Sequence, residues 1–359
     1  MARLTRAAMQ ERTRARVLAA ARAEFAEHGF RDAKVDRIAD RADLTRGAVY
    51  SNFPGKRALY FAVLADRAER APGPDPEPGR TPHEAVATLA RAWVTQLPLA
   101  TAGGHDLARD LPAEIVASES ARRAFAELMS LDALLLGLAL EALAPDGGRR
   151  VRVAEAVLTT LHGATQLTTA APGFVEPFNV VSACEQLADL DLGDQWLAPV
   201  MVPPASPADD AFAPPPAADA IRGGPARLGG DGVVAVLGLR RASAVEQAVR
   251  ATPPGAEITL ALVTGAPAEL GPLARLVVAG ARTRLWQAFP ERAWPRLQVV
   301  HDEAGALAEA AGVTGPGDDT EAAVRVAGGR IVARAEGLGA CHAAATAVPA
   351  PVPSRRGQG

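Results

Sequence analysis

Residues 198–230 read APVMVPPASPADDAFAPPPAADAIRGGPARLGG, and this stretch limits the fold more than any other feature. Proline fixes φ and withholds a backbone donor from helix and sheet interiors. No apolar period runs through the segment, so its composition predicts an extended linker. A 359-residue chain interrupted in this way is long enough for two or three domains. The hydrophobic period differs on the two sides of the break. Before it, Leu18, Ala21 and Phe25 share a helical stripe, and Gly29 after His28 is a helix stop. Long helical runs follow between residues 82 and 190, and no strand pattern interrupts them. After it, apolar runs of strand length occupy 232–239, 257–265, 297–300, 322–329 and 330–337, with helical stretches between the earlier ones and a tight AGGR turn before the last. The reading is a multidomain chain, all-α through its N-terminal two thirds and followed by a separate α/β domain.

Charge divides the chain differently. Residues 1–70 carry 15 Lys+Arg against 9 Asp+Glu, whereas the remaining 289 carry 23 against 32. A basic head on an acidic body points to a polyanion partner at the head alone. The two cysteines, Cys184 and Cys341, form neither a disulfide framework nor a CxxC pair. With no apolar secretory region at the Arg-rich N-terminus and no uninterrupted apolar run of about 18 residues, the expectation is a cytoplasmic protein without a membrane partner.

The basic head contains a pattern that gives this charge a purpose. Val35, Ile38, Ala39 and Ala42 follow i, i+3, i+4, i+7, the buried face of a short helix. Ala42-Asp43-Leu44 makes a turn, and Thr45 is a suitable N-cap for a second helix. There Val49 and Phe53 pack inward, while Arg46, Gly47, Tyr50 and Ser51 project outward. This is the layout of a helix-turn-helix spanning Lys34 to Phe53, whose second helix enters a DNA major groove. Glycine allows close backbone approach, arginine can bond a guanine edge, and hydroxyls suit phosphates or bases. Pro54-Gly55-Lys56 starts a third helix, whose free amides and Lys56 are expected to clamp a phosphate. Three packed helices with an arginine surface could also be a plain bundle; the ordered Gly47, Tyr50, Phe53, Lys56 set argues against that.

The stretch AAARAEFAEHGF…VDRIADRADLTRGAVYSNFPGKRALYFAVL resembles the DNA-binding head of TetR-type (TetR/AcrR) transcriptional regulators. Phe25, Gly29-Phe30, Ile38-Ala39, Gly47, Tyr50, Phe53, Lys56 and Leu59 carry the resemblance, over about residues 11–71. It implies a homodimeric repressor on a palindromic double-stranded DNA operator, with a helical body that binds a small-molecule effector. It also assigns DNA-facing roles to Thr45, Arg46, Gly47, Tyr50, Ser51 and Lys56. Two departures bear on operator choice. Ala33 and Lys34 stand where the family has a hydroxyl residue, so Lys34 is expected to replace a capping contact by a charge. Ser51 stands where the family often has histidine.

Residues 80–197 are then the helical ligand-binding and dimerisation domain. The resemblance implies that helices near 147–170 and 177–190 pair across a twofold axis. Val151, Ala154, Val157, Leu158 and Leu161 form a stripe that serves either this interface or the intramolecular core. Trp93, His105, Phe125 and Met129 are candidate pocket residues, each also explicable as core or surface, and the effector is unidentified. His83, His105 and His162 lack metal-ligand spacing, and no metal, cofactor or catalytic residue is expected. Cys184 reads as a small buried hydrophobe.

Within the α/β domain of residues 231–348, the stretch LQVVHDEAGALAEAAGV…EAAVRVAGGRIVARAEG looks similar to the second half of thioredoxin-like and peroxiredoxin-like domains, with a strand and helix leading into a closing hairpin. The redox thiol is missing. Arg240, Arg241, Ala242 and Ser243 follow the first strand, and Ala266, Pro267 and Ala268 follow the second. The expectation is a scaffold for contact or sensing, in a protein that is not an enzyme. Its alternative is a DNA-tethered adaptor or redox sensor working through this domain.

Overall fold

A computed structural model describes residues 6–71, 77–97 and 107–347. Helices α1 (Arg6–Asp32), α2 (Val35–Arg41), α3 (Arg46–Asn52) and α4 (Lys56–Glu69) come first. Then follow α5 (Pro82–Val94), α6 (Leu111–Val116), α7 (Glu119–Leu143), α8 (Val151–Ala170) and α9 (Pro177–Asp189). Strands β1 (Ser206–Ala211) and β2 (Gly232–Gly238), helix α10 (Val245–Ala251) and strand β3 (Glu257–Val263) lead to the long helix α11 (Pro267–Ala288). The described chain ends with β4 (Leu297–His301), α12 (Ala306–Ala310), β5 (Glu321–Ala327), β6 (Arg330–Glu336) and α13 (Ala340–Thr346). It forms two compact units. One takes residues through Gln195 together with Ala266–Pro295, and the other takes Trp196–Gly265 together with residues from Arg296 onward.

Local chemistry sets the helix ends of the first unit. Gly29, at φ 69°, breaks α1 before its last turn. Thr81 and Glu84 form a reciprocal capping box on α5, and the Ser118 side chain caps α7. Pro82, Pro177 and Pro267 open α5, α9 and α11, where the missing N–H would have had no partner anyway. Helix α7 is buried almost all round between Leu131 and Leu140, so it needs neighbours on several sides. It packs against α8 and α11. Gly137 allows the α8 contact, since a Cβ there would lie 2.8 Å from the Cα of Val151. Asp132, fully buried on α7, meets Arg284 of α11, whose Nε donates to Oδ1 at 3.3 Å while Nη2 bonds Oδ2.

The second unit is a six-stranded mixed sheet in the order β1-β6-β5-β2-β3-β4. Strands β2, β3 and β4 are parallel, and β5, β6 and β1 continue antiparallel from β2. One face buries Val234, Val236, Val263 and Val324 against Leu307 and Ala311 at α12, with Phe212 and Leu228 completing the cluster. Helices α10 and α13 pack together and against β2 and β5.

Two expectations about organisation are corrected. Residues 198–230 are not an extended linker. Strand β1 pairs with β6, while Phe212, Ile221 and Leu228 are buried. Asp219 accepts from the amides of Ile221 (3.0 Å) and Val299 (3.2 Å), and Ala220 N donates to the Val299 carbonyl (2.8 Å), which seats this segment along β4. No apolar period announces β1 because it is an edge strand with mostly exposed side chains. Its Asp209 and Asp210 pair with Arg330 and Arg334. Nor are residues 231–348 one block. Parallel neighbours such as β3 and β4 require a crossover, which ordinarily covers the sheet they share. Here that crossover, α11, belongs to the helical unit and packs on α4, α7 and α5.

The Asp132–Arg284 pair should be expensive to break from one side. Arg284→Ala leaves a buried carboxylate uncompensated and should cost about 3–5 kcal/mol in denaturant unfolding. Asp132→Leu combined with Arg284→Met should recover most of that loss. A double variant as unstable as the single would show that the unpaired charge is not the cause.

Candidate nucleic-acid interface

The head is assembled around a buried acid. Glu24, fully buried on α1, accepts from the Lys34 amide (3.2 Å) and from Arg37 (3.3 Å) through Oε1. Its Oε2 lies 3.3 Å from Arg41 Nε and 3.6 Å from His28 Nδ1. The carboxylate thus satisfies an amide at the start of α2, where Lys34 offers no side-chain cap of its own. The lost hydroxyl is replaced from a neighbouring helix, and the Lys34 side chain remains exposed. Arg16, also on α1, bonds the carbonyls of Ala42 and Asp43 and reaches the Asp43 carboxylate at 3.3 Å. It braces the turn at Asp43, whose φ of 50° is left-handed, a conformation that aspartate tolerates better than most residues.

The turn delivers α3 with its faces sorted. Thr45 is the N-cap, its Oγ1 accepting from Ala48 N at 3.2 Å. Val49 and Phe53 are buried, and the Arg14 guanidinium lies 4.5 Å over the Phe53 ring. Thr45, Arg46, Gly47, Tyr50 and Ser51 lie on the open side of the helix, all of them exposed. Arg46 pairs with Asp36 at 3.3 Å and lies 5.5 Å from the Tyr50 ring centre. Its charge is therefore held beside the start of α2, near Lys34 in the chain. Ser51 Oγ donates to the Ala48 carbonyl at 2.9 Å. A Cβ on Gly47 would meet nothing closer than 3.8 Å, so the fold itself has no need of glycine there.

Lys56 stands apart from this group. It is part-buried, donates to the Arg31 carbonyl at 3.0 Å and lies 4.6 Å from the Phe30 ring centre. Burial holds its pKa below the ordinary lysine value. In this arrangement it braces α4 against the end of α1. Behind it, Phe25, Phe30 and Tyr60 form an aromatic cluster with centroids 4.9–6.0 Å apart. Glu24, Arg14 and Arg16 escaped the sequence reading as parts of the site. For Glu24 a signal existed: it is a charge set beside Ala20, Ala21 and Phe25 on a buried stripe.

In the helical body the candidate pocket residues divide. Trp93 Nε1 donates to Thr165 Oγ1 at 2.9 Å, and its ring meets His162 edge-on at 4.9 Å. Phe125 and Met129 are half-buried on α7. His105 lies outside the described residues. The stripe Val151, Ala154, Val157, Leu158 and Leu161 is buried within the chain, which assigns it to the intramolecular core. Cys184 is fully buried, its thiol pushed up to about 11 chiefly by that burial. Among the described residues no three His, Cys, Asp or Glu are placed to share a metal ion.

Comparison with known proteins bears on the head. Residues 17–63 match the family model described as bacterial regulatory proteins, tetR family. Over 67 residues the chain is 51% identical to the HTH-type transcriptional regulator SrpR of Pseudomonas putida. It is 49% identical, again over 67 residues, to the uncharacterized HTH-type transcriptional regulator TtgW of a Pseudomonas putida strain. Each match takes in 19% of this chain, 31% of SrpR and 49% of TtgW, so the chain spans less than half the length of either relative. Among solved structures, a TetR transcriptional regulator from Rhodococcus sp. RHA1 aligns with 50% of this chain and 95% of its own, at 20% identity and a TM-score of 0.31.

The body should carry an acid-sensitive element. Burial, reinforced by the Arg284 charge, lowers His162 from 6.5 to about 4, and its Nε2 is enclosed without a hydrogen-bond partner. Unfolded chains bind that proton at the ordinary histidine pKa, folded ones only near 4. This contribution to stability is therefore complete above pH 6.5 and is lost as pH falls through the interval. The loss is about 1.4 kcal/mol per pH unit, on the order of 3 kcal/mol in all. His162→Gln should flatten the unfolding free energy between pH 6.5 and 4. An unchanged slope would place the titration elsewhere.

Proposed function

Because residues 17–63 carry the DNA-binding head of the tetR family of bacterial regulatory proteins, we propose that this chain is a ligand-responsive transcriptional regulator. It represses as a homodimer on a palindromic operator and works in the cytoplasm. The carrying observation is α3: Arg46, Gly47, Tyr50 and Ser51 exposed, with Thr45 at the cap, on a helix whose Val49 and Phe53 are spent on the core. Arg46 reads a base edge after exchanging Asp36 for the DNA. Gly47 admits close backbone approach, Tyr50 and Ser51 supply hydroxyls, and Lys34 adds a charge contact at the start of α2. Lys56 contributes to phosphate binding chiefly by positioning α4.

The twofold contact uses side chains that the chain itself leaves uncovered. Phe174 and Phe178, between α8 and the start of α9, are 72% and 82% exposed, with Leu167 nearby in sequence at the end of α8. Exposed aromatics of this size favour a partner. The effector is a small molecule held in the helical body, whose Ala- and Leu-rich faces favour an apolar one.

The α/β unit reads as a thioredoxin-like scaffold. Its support is the strand order β6-β5-β2-β3, with β2-α10-β3 preceding a hairpin and a closing helix. Arg240 to Ser243 follow β2 where a redox thiol would open a helix. Cys341 is fully buried, and its thiol is pushed far up by burial and by the Glu321 charge, which opposes a sensor role for it. The unit serves contact and regulation, without enzymatic turnover. No helix among the described residues is long and apolar enough to cross a membrane.

Arg46→Ala should cost about 1–3 kcal/mol on the selected operator and relax preference at one base position. Equal losses on operator and random DNA, measured by titration at one salt concentration, would remove Arg46 from base reading. Gly47→Ala separates folding from function. It should raise stability by up to about 1 kcal/mol through helix propensity while weakening operator binding. Unchanged binding would show that the DNA does not approach that backbone closely. Phe178→Glu should shift the protein from dimer to monomer in sedimentation; a dimer that persists would move the interface elsewhere.

A further inference from the structure

We propose that the α/β unit sets the operator affinity of the head, acting through α11. The proposal rests on reading α1–α4 as the DNA-binding head. The observation is the membership of one helix. Strands β3 and β4 are adjacent and parallel in one sheet, and α11 is the chain between them. Thr264 and Gly265 lead into it from β3, and residues 289–296 lead back to β4. Yet α11 is a member of the helical unit, where Leu270, Leu273, Val278 and Leu285 are buried and where it lies along α4 and α7. The sheet thus holds both ends of a helix that the DNA-binding unit uses as core.

The last turn of α4 is where head and α11 meet. Asp66 bonds Arg22 of α1, and one turn later Glu69 accepts from Arg275 of α11 through two nitrogens, at 2.8 and 2.9 Å. Further along, the buried Asp132–Arg284 pair fixes α11 to α7, and the Gly79 amide donates to the Ala288 carbonyl at 3.0 Å. The other end of α4 follows α3 after only three residues, so the reading helix and α11 are joined through one rigid rod. Packed helices shift between discrete arrangements and do not deform smoothly. A change in the order or spacing of the β3 and β4 ends reaches α11 through its two chain connections, and through α11 the helix α4 beside it. Such coupling is reciprocal: DNA at the head must in turn stabilise the strands that hold α11.

The test uses the full chain and a duplex that it selects from a random library. Hydrogen exchange is measured with and without the duplex. The duplex should slow exchange in α1–α4 and also in α11, β3 and β4. Arg275→Glu, which alters no residue of the head, should weaken binding to the same duplex about fivefold or more. Adding Glu69→Arg should restore affinity to within about twofold of the original, because the pair is rebuilt with its charges exchanged. Protection that ends at α4 overturns the proposal, as does an Arg275→Glu protein that binds like the original. Failure to select any duplex would instead remove the reading of the head, and the coupling with it.

Discussion

Nine consecutive residues of α4, Ala58 to Asp66, have no solvent-exposed face. A helix with no wet side has to be covered on every side, and that requirement organises the helical unit. Helix α1 covers one flank through Phe25 and the Asp66–Arg22 bond, while α11 covers another. Without α11 the flank of α4 that α1 leaves open would face water. The return of the chain from the sheet into the helical unit is therefore no topological accident. It completes a core that the first 195 residues leave open.

The charged groups inside this core follow one rule. Glu24, Asp66 and Asp132 are buried acids, and each is answered by arginine: Arg37 and Arg41, Arg22 and Arg70, and Arg284. The chain has only two lysines. A planar guanidinium meets a carboxylate with two parallel donors and sheds its hydration more readily than an ammonium, so it suits interior pairs that must fix helix to helix. The same chemistry serves the head. Glu24 anchors α2, Arg16 holds the turn, and the exposed side of α3 is left with no structural duty beyond the Thr45 cap and the Arg46–Asp36 pair. A recognition surface is available because its supports lie behind it.

Much of the head was legible because its signals are local. Val35, Ile38, Ala39, Thr45, Val49 and Phe53 report their faces through spacing alone, and the strands at 232–238, 257–263 and 330–336 announced themselves as short apolar runs. What escaped depended on distant partners. Strand β1 carries Ser, Pro and Asp because an edge strand pairs through its backbone and two arginines, leaving no alternation to detect. The affiliation of α11 could not be read from its own residues, since an apolar helix between two strands suits a sheet as well as a bundle. The signal lay elsewhere, in the unbroken apolar run of α4, which exceeds what α1 to α3 can cover. Lys56 has partners that its spacing did not announce, since the Arg31 carbonyl and the Phe30 ring are within its reach.

The proline-rich segment has a consequence of another kind. Strand β1 lies against β6 at one margin of the sheet, and residues 219–221 lie against β4 at the other. One stretch of chain therefore hems both margins. Unhemmed, β4 (LQVVH) and β6 (RIVARAE) would each present a row of free amides and carbonyls beside apolar side chains, a template for pairing with other molecules. Prolines and paired aspartates are poor templates themselves, so the residues that make this segment look like a spacer suit it to keeping the sheet soluble.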